Sequence, residues 1–246
     1  MVCFGIDFGG SGIKGSPVNV QTGDLVEPRK REQTPTLARP GETAEVISQI
    51  LNHFEWKGPV GVGFPAEVHD GIIYSAANIH ESWIGVDAAA LFKNRSGNLF
   101  YIINDADAAG IAEMSFGAGK CWQKGVVLIL TIGTGIGSAI FVDGHLFPNT
   151  ELGHLQVRGK DAEKRASDAI RQKKEFSWKQ WAERFQEVIS TYEHLFSPDM
   201  IILGGGASKN WLKFSMYLKT RAQIQPAQLL NQAGIIGAAV YASWQE

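Results

Sequence analysis

Two glycine-rich segments stand out because each interrupts a strand-like apolar run that then resumes. They span residues 7–14 and 131–138. Backbone N–H groups can bind phosphate oxygens only where no side chain blocks the approach, and glycine provides that access. One such turn alone is more often structural, since hairpins use glycine for positive φ, but two equivalent turns in one chain favour a phosphate site. The candidate phosphate contacts are Asp7, Gly9, Gly10, Ser11, Gly12, Lys14, Thr131, Gly133, Thr134, Gly135 and Gly137.

Neither segment has the spacing of a Walker P-loop. The first also returns to a strand, whereas a Rossmann fingerprint would open a helix.

A carboxylate lies between the two turns in the sequence. Asp105 follows the apolar run 99–103 and opens a helix that continues through residues 108–114. A helix N-terminus favours an ionised carboxylate, which is the form that a general base needs. The alternative is a simple helix cap, and for the residue taken alone the cap is the better interpretation. Asp107 could hold the loop, contact a metal ion or lie in the first helical turn. Two phosphate-binding turns and a base describe a phosphotransferase.

Composition excludes several classes of protein. The 246 residues are 44% hydrophobic, enough for a full core. A formal net charge of −2 provides no basic field, so we expect neither nucleic-acid nor membrane partners. Cys3 and Cys121 are too few for a disulfide framework or a thiolate metal site. Without a signal-like N-terminus or a long apolar span, the sequence predicts a cytoplasmic globular protein.

The order of apolar patterns predicts an α/β fold with an internal repeat. Both halves contain a strand, a glycine turn and a returning strand, which suggests two related domains facing each other across a cleft. We place the N-terminal domain at residues 1–103, completed by a C-terminal helix over 233–246, and the second domain at residues 104–232. An apolar stripe from Trp178 to Leu195 predicts a core-facing helix that ends before Pro198. Gly234 and Gly237 would let the closing helix pack closely.

The chain resembles sugar kinases of the ROK family over nearly its whole length. Residues 5–15 resemble the family's first phosphate motif and residues 131–138 the second. Asn104-Asp105 resembles the motif whose aspartate deprotonates the sugar 6-hydroxyl. This resemblance implies the actin/hexokinase/Hsp70-like (ribonuclease H-like) fold, with duplicated domains flanking a central cleft, and it implies Asp105 as the catalytic base.

The same resemblance implies a sugar site. Residues 151–154 resemble the family's E-x-G-H motif. ROK kinases usually follow that motif with a zinc-holding cysteine cluster ending in a sugar-binding glutamate, but residues 160–167 contain no cysteine. We therefore expect no zinc, and a sugar or supporting role for the histidine. The implied sugar-binding residues are Asn78, Asn104, Glu151, His154 and Glu163, and Gly204, Gly205 and Gly206 resemble the family's segment near the nucleotide.

Within the family, the chain resembles the polyphosphate glucokinases. The missing zinc cluster and residues 7–14 and 104–110 carry this likeness, together with residues 34–40, which resemble a variant of the subgroup's Thr-Pro-rich segment. A linear phosphate polymer needs donors and cations beyond the reacting phosphate. An ordinary solvated loop explains the local charge equally well. The candidate polyphosphate contacts are Arg31, Thr34, Thr36 and Arg39.

The predicted reaction is phosphorylation of glucose at its 6-hydroxyl by inorganic polyphosphate, with Mg²⁺. The alternatives are an ATP-dependent or dual-donor gluco- or mannokinase and, from another class, a catalytically silent sugar-binding regulator. The glycine turns cannot discriminate between the donors, because both donors end in the same phosphoanhydride. A homodimer is implied by the resemblance alone.

Overall fold

The computed structural model describes residues 1–77 and 79–246, so the predicted sugar ligand Asn78 lies outside the described residues. The chain forms two compact units: Met1–Phe116 with Gln232–Glu246, and Gly117–Asn231. The predicted boundary lay before residue 104, whereas residues 104–116 belong to the first unit. The reason is packing, since the helix over these residues lies against the C-terminal helix and the first unit's sheet. None of the helices in the described part of the chain is long and apolar enough to cross a membrane.

The first unit is built on one mixed sheet. Its strands are β1 Val2–Gly9, β2 Gly12–Asn19, β3 Asp24–Leu25, β4 Lys30–Glu32, β5 Val60–Phe64, β6 Val68–His69, β7 Ile72–Ile73 and β8 Phe100–Asn104. The order in the sheet is β3-β2-β1-β5-β8, with β4 also paired to β2 and with β6 and β7 forming a separate hairpin. Its helices before the second unit are α1 Pro40–His53, α2 Ala88–Ser96 and α3 Asp105–Phe116, with a 3₁₀ turn at Glu81–Trp83.

The second unit has the same kind of sheet. The strands of this unit are β9 Val126–Ile132, β10 Ile136–Val142, β11 His145–Phe147, β12 Gln156–Val157, β13 Lys160–Asp161, β14 Met200–Gly204 and β15 Gln223–Pro226. The order in the sheet is β11-β10-β9-β14-β15, and β12 and β13 form a separate hairpin. Its helices are α4 Ala162–Ala166, α5 Asp168–Lys173, α6 Trp178–Phe196, α7 Gly205–Ser208 and α8 Trp211–Phe214, with 3₁₀ turns at Leu152–His154, Ser215–Tyr217 and Leu230–Gln232. The chain then ends with α9 Ala233–Ser243 in the first unit.

The two sheets follow one plan. In each, three antiparallel strands (β3-β2-β1 or β11-β10-β9) are followed by two strands parallel to the third (β5-β8 or β14-β15). The two glycine turns join equivalent strand pairs, β1 to β2 and β9 to β10. The predicted α/β fold with an internal repeat is therefore confirmed.

Helix α6 forms where the aromatic stripe predicts it. Ser177 and Gln180 make a capping box at its start, and the helix ends at Phe196, with Ser197 as its C-cap at φ 45°, just before Pro198. Trp181, Phe185, Val188, Ile189 and Tyr192 are fully buried against the second sheet. Leu195 differs from the prediction, because it lies in the last turn and is 54% exposed.

Helix α9 packs backbone against backbone in the first unit. A Cβ at Gly5 or at Gly61 would lie 1.8 Å from a carbonyl oxygen of α9, at Ile235 and Ala238 respectively. On its other side, a Cβ at Gly237 would lie 1.6 Å from the carbonyl oxygen of Ala108 in α3. The sheet, α9 and α3 can approach this closely only because glycine occupies these positions.

We predict that Gly61→Ala destabilises the protein. A methyl group 1.8 Å from the Ala238 carbonyl oxygen must displace α9, and overpacking of this kind costs about 1–3 kcal/mol. For a chain of this length that lowers Tm by roughly 2–12 °C. Thermal unfolding followed by circular dichroism measures it. Gly41→Ala is the matched control, because a Cβ there meets nothing within 4 Å, and its Tm should not fall. An unchanged Tm for Gly61→Ala would contradict the packing described here.

Candidate active site

The first glycine turn is open and unstrained. Strands β1 and β2 pair from Val2 opposite Asn19 up to Gly9 opposite Gly12, which leaves Gly10 and Ser11 as an exposed two-residue loop. Neither Gly9, Gly10 nor Gly12 has positive φ. A Cβ at Gly10 would meet nothing within 4 Å. Neither a positive φ nor packing requires glycine at position 10, and the absence of a side chain leaves its N–H accessible to a ligand.

The second glycine turn likewise contains no glycine with positive φ and is open at Gly133. Gly133, Gly135 and Gly137 do not have positive φ, and a Cβ at Gly133 would meet nothing within 4 Å. The Gly133 N–H donates to the Gly135 carbonyl at 3.0 Å, and the Gly133 carbonyl accepts from Ala169 N–H at 3.1 Å. Gly133 is therefore used to hold the turn, and the exposed end of the turn is Thr134. The positive-φ explanation of these glycines applies to neither turn.

Asp7 and Lys14 form an ion pair beside the first turn. They lie opposite each other in the β1–β2 ladder, with Lys14 Nζ 2.8 Å from Asp7 Oδ2. Their side chains are 20% and 22% exposed, so the pair still faces solvent. Gly234 of α9 packs on Asp7, since a Cβ there would lie 2.9 Å from the carboxyl carbon. Asp7 and Lys14, both predicted phosphate contacts, thus lie next to each other beside the first turn. The β1–β2 register and the packing of α9 fix their positions.

Asn104, rather than Asp105, caps α3. The Asn104 Oδ1 accepts from the N–H groups of Ala106 at 2.9 Å and Asp107 at 3.1 Å, and its Nδ2 donates to the Ala66 carbonyl at 3.1 Å. Asn104 is only 4% exposed, and both ends of its side-chain amide are used within the protein. Its contact with a sugar stays a prediction.

Because Asn104 makes the cap, the capping alternative for Asp105 does not apply. Asp105 is the first residue of the 12-residue helix α3 and is half-buried. Asp107 is fully buried in the first turn of α3. The structure therefore sets Asp105 apart as the half-buried carboxylate at this helix start.

The predicted sugar residues of the second unit come together around one imidazole. Glu151 precedes the 3₁₀ turn that ends at His154, and Glu163 lies on α4. A carboxylate oxygen of each is 4.0 Å from a ring nitrogen of His154, as is one of Asp161. Asp161 was not predicted from the sequence, although its position in the β12–β13 hairpin, just before α4, brings it here. A hydrogen bond from Lys164 lowers the pKa of the Asp161 carboxyl.

Two buried donors on α6 hold this motif in place. The Tyr192 hydroxyl donates to the Leu152 carbonyl at 2.6 Å, and Trp181 Nε1 donates to the Ala166 carbonyl, at the end of α4, at 2.9 Å. Burial raises the pKa of Tyr192, with the Glu163 charge adding to the effect, so the hydroxyl stays protonated and keeps donating. The sequence predicted Tyr192 and Trp181 only as core residues, because the apolar pattern of the helix does not show which carbonyl accepts from each donor.

Strand β10 also contacts the motif. The Ser138 hydroxyl donates to the Thr150 carbonyl at 2.6 Å and accepts from the Leu152 N–H at 3.0 Å. A Cβ at Gly153 would lie 2.2 Å from the Ile136 carbonyl oxygen, so the central glycine of E-x-G-H allows close contact with β10. The sugar motif is therefore attached to the strand that leaves the second phosphate turn.

The glycine segment after β14 lies beside the second turn. Gly204 pairs with Thr131 in the parallel β14–β9 ladder. Gly205 has φ 75°, and a Cβ there would lie 2.5 Å from Ile132 backbone atoms, so this glycine is needed structurally. Gly206 is exposed with nothing within 4 Å of a Cβ, which leaves it accessible to a ligand.

The candidate polyphosphate contacts divide into two groups. Arg31 Nη2 donates to the Ser11 carbonyl at 2.6 Å, and the Thr34 hydroxyl donates to the Gly9 carbonyl at 2.6 Å, so both bind the first turn itself. Thr36 and Arg39 are exposed on the segment that leads into α1.

No group of three or more His, Cys, Asp or Glu side chains suited to hold a metal ion occurs in the described part of the chain. Cys3 is buried in β1, whereas Cys121 is exposed.

The chain is similar to known kinases over nearly its whole length. It is 45% identical to the polyphosphate glucokinase of Mycobacterium tuberculosis over 238 residues, 96% of this chain and 89% of that protein. It superposes on the inorganic polyphosphate/ATP-glucomannokinase of Arthrobacter sp. strain KM with a TM-score of 0.95 and 43% identity, covering 100% of this chain and 99% of the other.

A more distant similarity extends to a ROK family glucokinase of Streptomyces griseus solved with glucose and AMPPNP. The TM-score is 0.81 at 22% identity, covering 99% of this chain and 100% of the other, and it shows a shared fold. The actin/hexokinase-like fold expected from the resemblance is thereby confirmed. The ROK family model matches residues 3–169. The chain belongs to the ROK family.

Proposed function

We propose that this protein transfers the terminal phosphoryl group of inorganic polyphosphate to the 6-hydroxyl of glucose, forming glucose 6-phosphate. The observation that carries the proposal is the 45% identity to a polyphosphate glucokinase over 96% of the chain. The two open, unstrained glycine turns support it, because they supply the phosphate sites that such a reaction needs.

ATP is the second candidate donor. The Arthrobacter protein, 43% identical to this chain, is named for both polyphosphate and ATP. Gly206, open to a ligand beside the second turn, is compatible with a nucleotide or with a longer phosphate chain. A silent sugar-binding regulator is disfavoured, because such a protein needs neither Asp105 nor two phosphate turns.

In the proposed reaction Asp105 is the general base. Its carboxylate accepts the proton of the glucose 6-hydroxyl as that oxygen bonds to the terminal phosphorus, and the bond from phosphorus to the bridging oxygen breaks. The products are glucose 6-phosphate and a polyphosphate chain one unit shorter. Glu151, His154 and Glu163 would bind sugar hydroxyls, with Asn78 and Asn104 as the other predicted ligands. The clustering of the first three around one imidazole supports their binding a single sugar.

The two turns and Lys14 would stabilise the charge of the phosphoryl donor. Phosphoryl transfer has a loose transition state in which the protein's main contribution is positioning and electrostatic stabilisation. The Asp7 carboxylate keeps the Lys14 ammonium beside the first turn at 2.8 Å.

Mg²⁺ fits the residues that are present. In sites of this kind the ion is held by substrate phosphates with only one or two protein carboxylates, so a dedicated cluster is not required. Asp7, partly exposed on the strand that enters the first turn, is the proposed carboxylate. When bound, the ion neutralises charge on the donor phosphates. The homodimer and the cytoplasmic location expected from the resemblance remain predictions.

We predict turnover with nucleotide-free polyphosphate and Mg²⁺ as the only phosphoryl source. The assay measures glucose 6-phosphate formation by the purified protein, with ATP as the sole donor in a parallel reaction. Turnover with ATP alone would assign the other donor, and no phosphorylation of glucose by either donor would overturn the proposal.

Asp105→Asn should lower kcat by about 10²- to 10⁴-fold, the usual contribution of a general base. The amide keeps the size of the side chain but cannot accept the proton, so the glucose Kd should change little. Steady-state kinetics and calorimetric glucose titration give the two quantities. Asp24→Asn, an exposed aspartate of the same unit, controls for the loss of charge. A kcat near that of the wild type would remove Asp105 from this role.

Glu163→Gln should raise the KM for glucose by about 10-fold or more, because hydrogen bonds to a charged group are worth about 1.5–3 kcal/mol. The KM for the donor should stay within about 2-fold of the wild-type value. Glu183→Gln, an exposed glutamate on α6, is the matched control. An unchanged glucose KM would exclude Glu163 from the sugar site.

A further inference from the structure

We infer that Thr34 is a positioning residue for the first phosphate turn, with Arg31 as a second anchor, and that the two set the affinity for the terminal part of the phosphoryl donor. The inference rests on the proposed function and names a role that differs from direct contact with the polymer. It starts from the two side-chain hydrogen bonds to the turn, each 2.6 Å long.

Thr34 reaches the turn from a distant part of the sequence. Its hydroxyl donates to the Gly9 carbonyl across a separation of 25 residues, and the residue is only 9% exposed. A hydroxyl has one proton to donate. Since that proton is used on Gly9, Thr34 has none left for a phosphate oxygen.

The hydrogen bond orients a donor of the turn. The peptide group joining Gly9 and Gly10 is planar and trans, so its C=O and N–H point in opposite directions. Holding the Gly9 carbonyl towards Thr34 therefore points the Gly10 N–H away from Thr34. Gly10 is exposed and without side-chain hindrance, and its N–H is then preset for an incoming anion. Presetting of this kind spares the binding step the entropy of ordering the loop.

Arg31 holds the other end of the turn. It lies on β4 opposite Lys14 of β2, and its guanidinium donates to the Ser11 carbonyl. A Cβ at Gly12 would lie 2.5 Å from Arg31 Nε, so glycine at position 12 is what allows the guanidinium to lie against the turn. Both anchors thus bind carbonyl oxygens, whose partial negative charge would otherwise repel phosphate.

The segment that carries Thr34 is itself fixed to the core. The Ala38 N–H donates to the Pro35 carbonyl at 2.9 Å, and the buried Trp83 donates through Nε1 to the Ala38 carbonyl at 2.7 Å. Thr34 and Ala38 are buried, which distinguishes this segment from a solvated loop. Thr34 is therefore held firmly enough to act on the turn.

The test compares Thr34→Val with Thr34→Ser in the full-length protein. Valine keeps the shape and loses the donor, so the KM for long-chain polyphosphate should rise roughly 3- to 10-fold, the effect of one lost hydrogen bond. Serine keeps the donor and should restore the KM to within about 2-fold of wild type. The glucose KM should stay within about 2-fold for both variants.

Thr43→Val is the matched control. Thr43 is a fully buried threonine of the same unit whose hydroxyl has no hydrogen-bond partner among the residues that the structure describes. Its donor KM should equal that of wild type, because no bond to the turn is lost. Arg31→Gln, at an exposed position, provides a second route if Thr34→Val does not fold, and it should also raise the donor KM.

Comparing inhibition by tripolyphosphate with the KM for long-chain polyphosphate separates positioning of the turn from direct contact with the polymer. If Thr34 presets the turn, Thr34→Val weakens tripolyphosphate, measured as a competitive inhibitor, by the same factor as long chains. Weaker binding of long chains with unchanged inhibition by tripolyphosphate would overturn the inference. An unchanged donor KM in a folded Thr34→Val variant would also overturn it. If Thr34→Val does not fold, an unchanged donor KM in Arg31→Gln would overturn it instead. A wild-type protein inactive with polyphosphate would instead refute polyphosphate as the donor, which is the part of the proposed function on which the inference rests.

Discussion

The close packing of α9 against the first sheet is the constraint on which the rest of the first unit depends. The helix touches β1 and β5 through Gly5 and Gly61 and touches α3 through Gly237, each time at a distance that excludes any side chain. This contact fixes α3, whose first residue is Asp105. At the start of α9, Gly234 packs against the Asp7 side chain. A C-terminal helix, last in the chain, thus positions the proposed base and the ion pair beside the phosphate turn.

The duplicated sheets explain why two turns of one kind occur, but each turn is held differently. Side chains from β4 and the segment after it bind carbonyls of the first turn, at Ser11 and Gly9. The second turn is held by backbone, from Ala169 of α5 to Gly133. Because α5 follows directly on α4, the segment that supplies Glu163 also supports the second turn. The sugar motif and the second turn are therefore linked through α4 and α5 within the second unit.

Patterns that depend on local sequence were predictable. The glycine turns, the helix opened by Asp105 and the long amphipathic helix follow from spacing and capping rules, and the structure contains all three. The E-x-G-H segment and Glu163 were found only by resemblance, since nothing in their own spacing shows that α4 and the 3₁₀ turn meet around His154.

Features that depend on contacts between distant residues were not predictable. Asn104 caps α3 through its Oδ1, while its Nδ2 donates to the carbonyl of the distant Ala66, a contact that the local sequence does not show. Residues 104–116 join the first unit because α9, far along the chain, packs on α3. The donors Tyr192 and Trp181 look like core residues until their carbonyl partners are known.

The central claim is that Asp105 accepts the proton of the glucose 6-hydroxyl. The most direct measurement is a crystal structure of the protein with glucose bound. The proposed mechanism predicts a carboxylate oxygen of Asp105 within about 2.6–3.2 Å of that hydroxyl, the distance a general base needs. Glucose bound with its 6-hydroxyl hydrogen-bonded to another side chain, and with Asp105 out of hydrogen-bonding range, would contradict it.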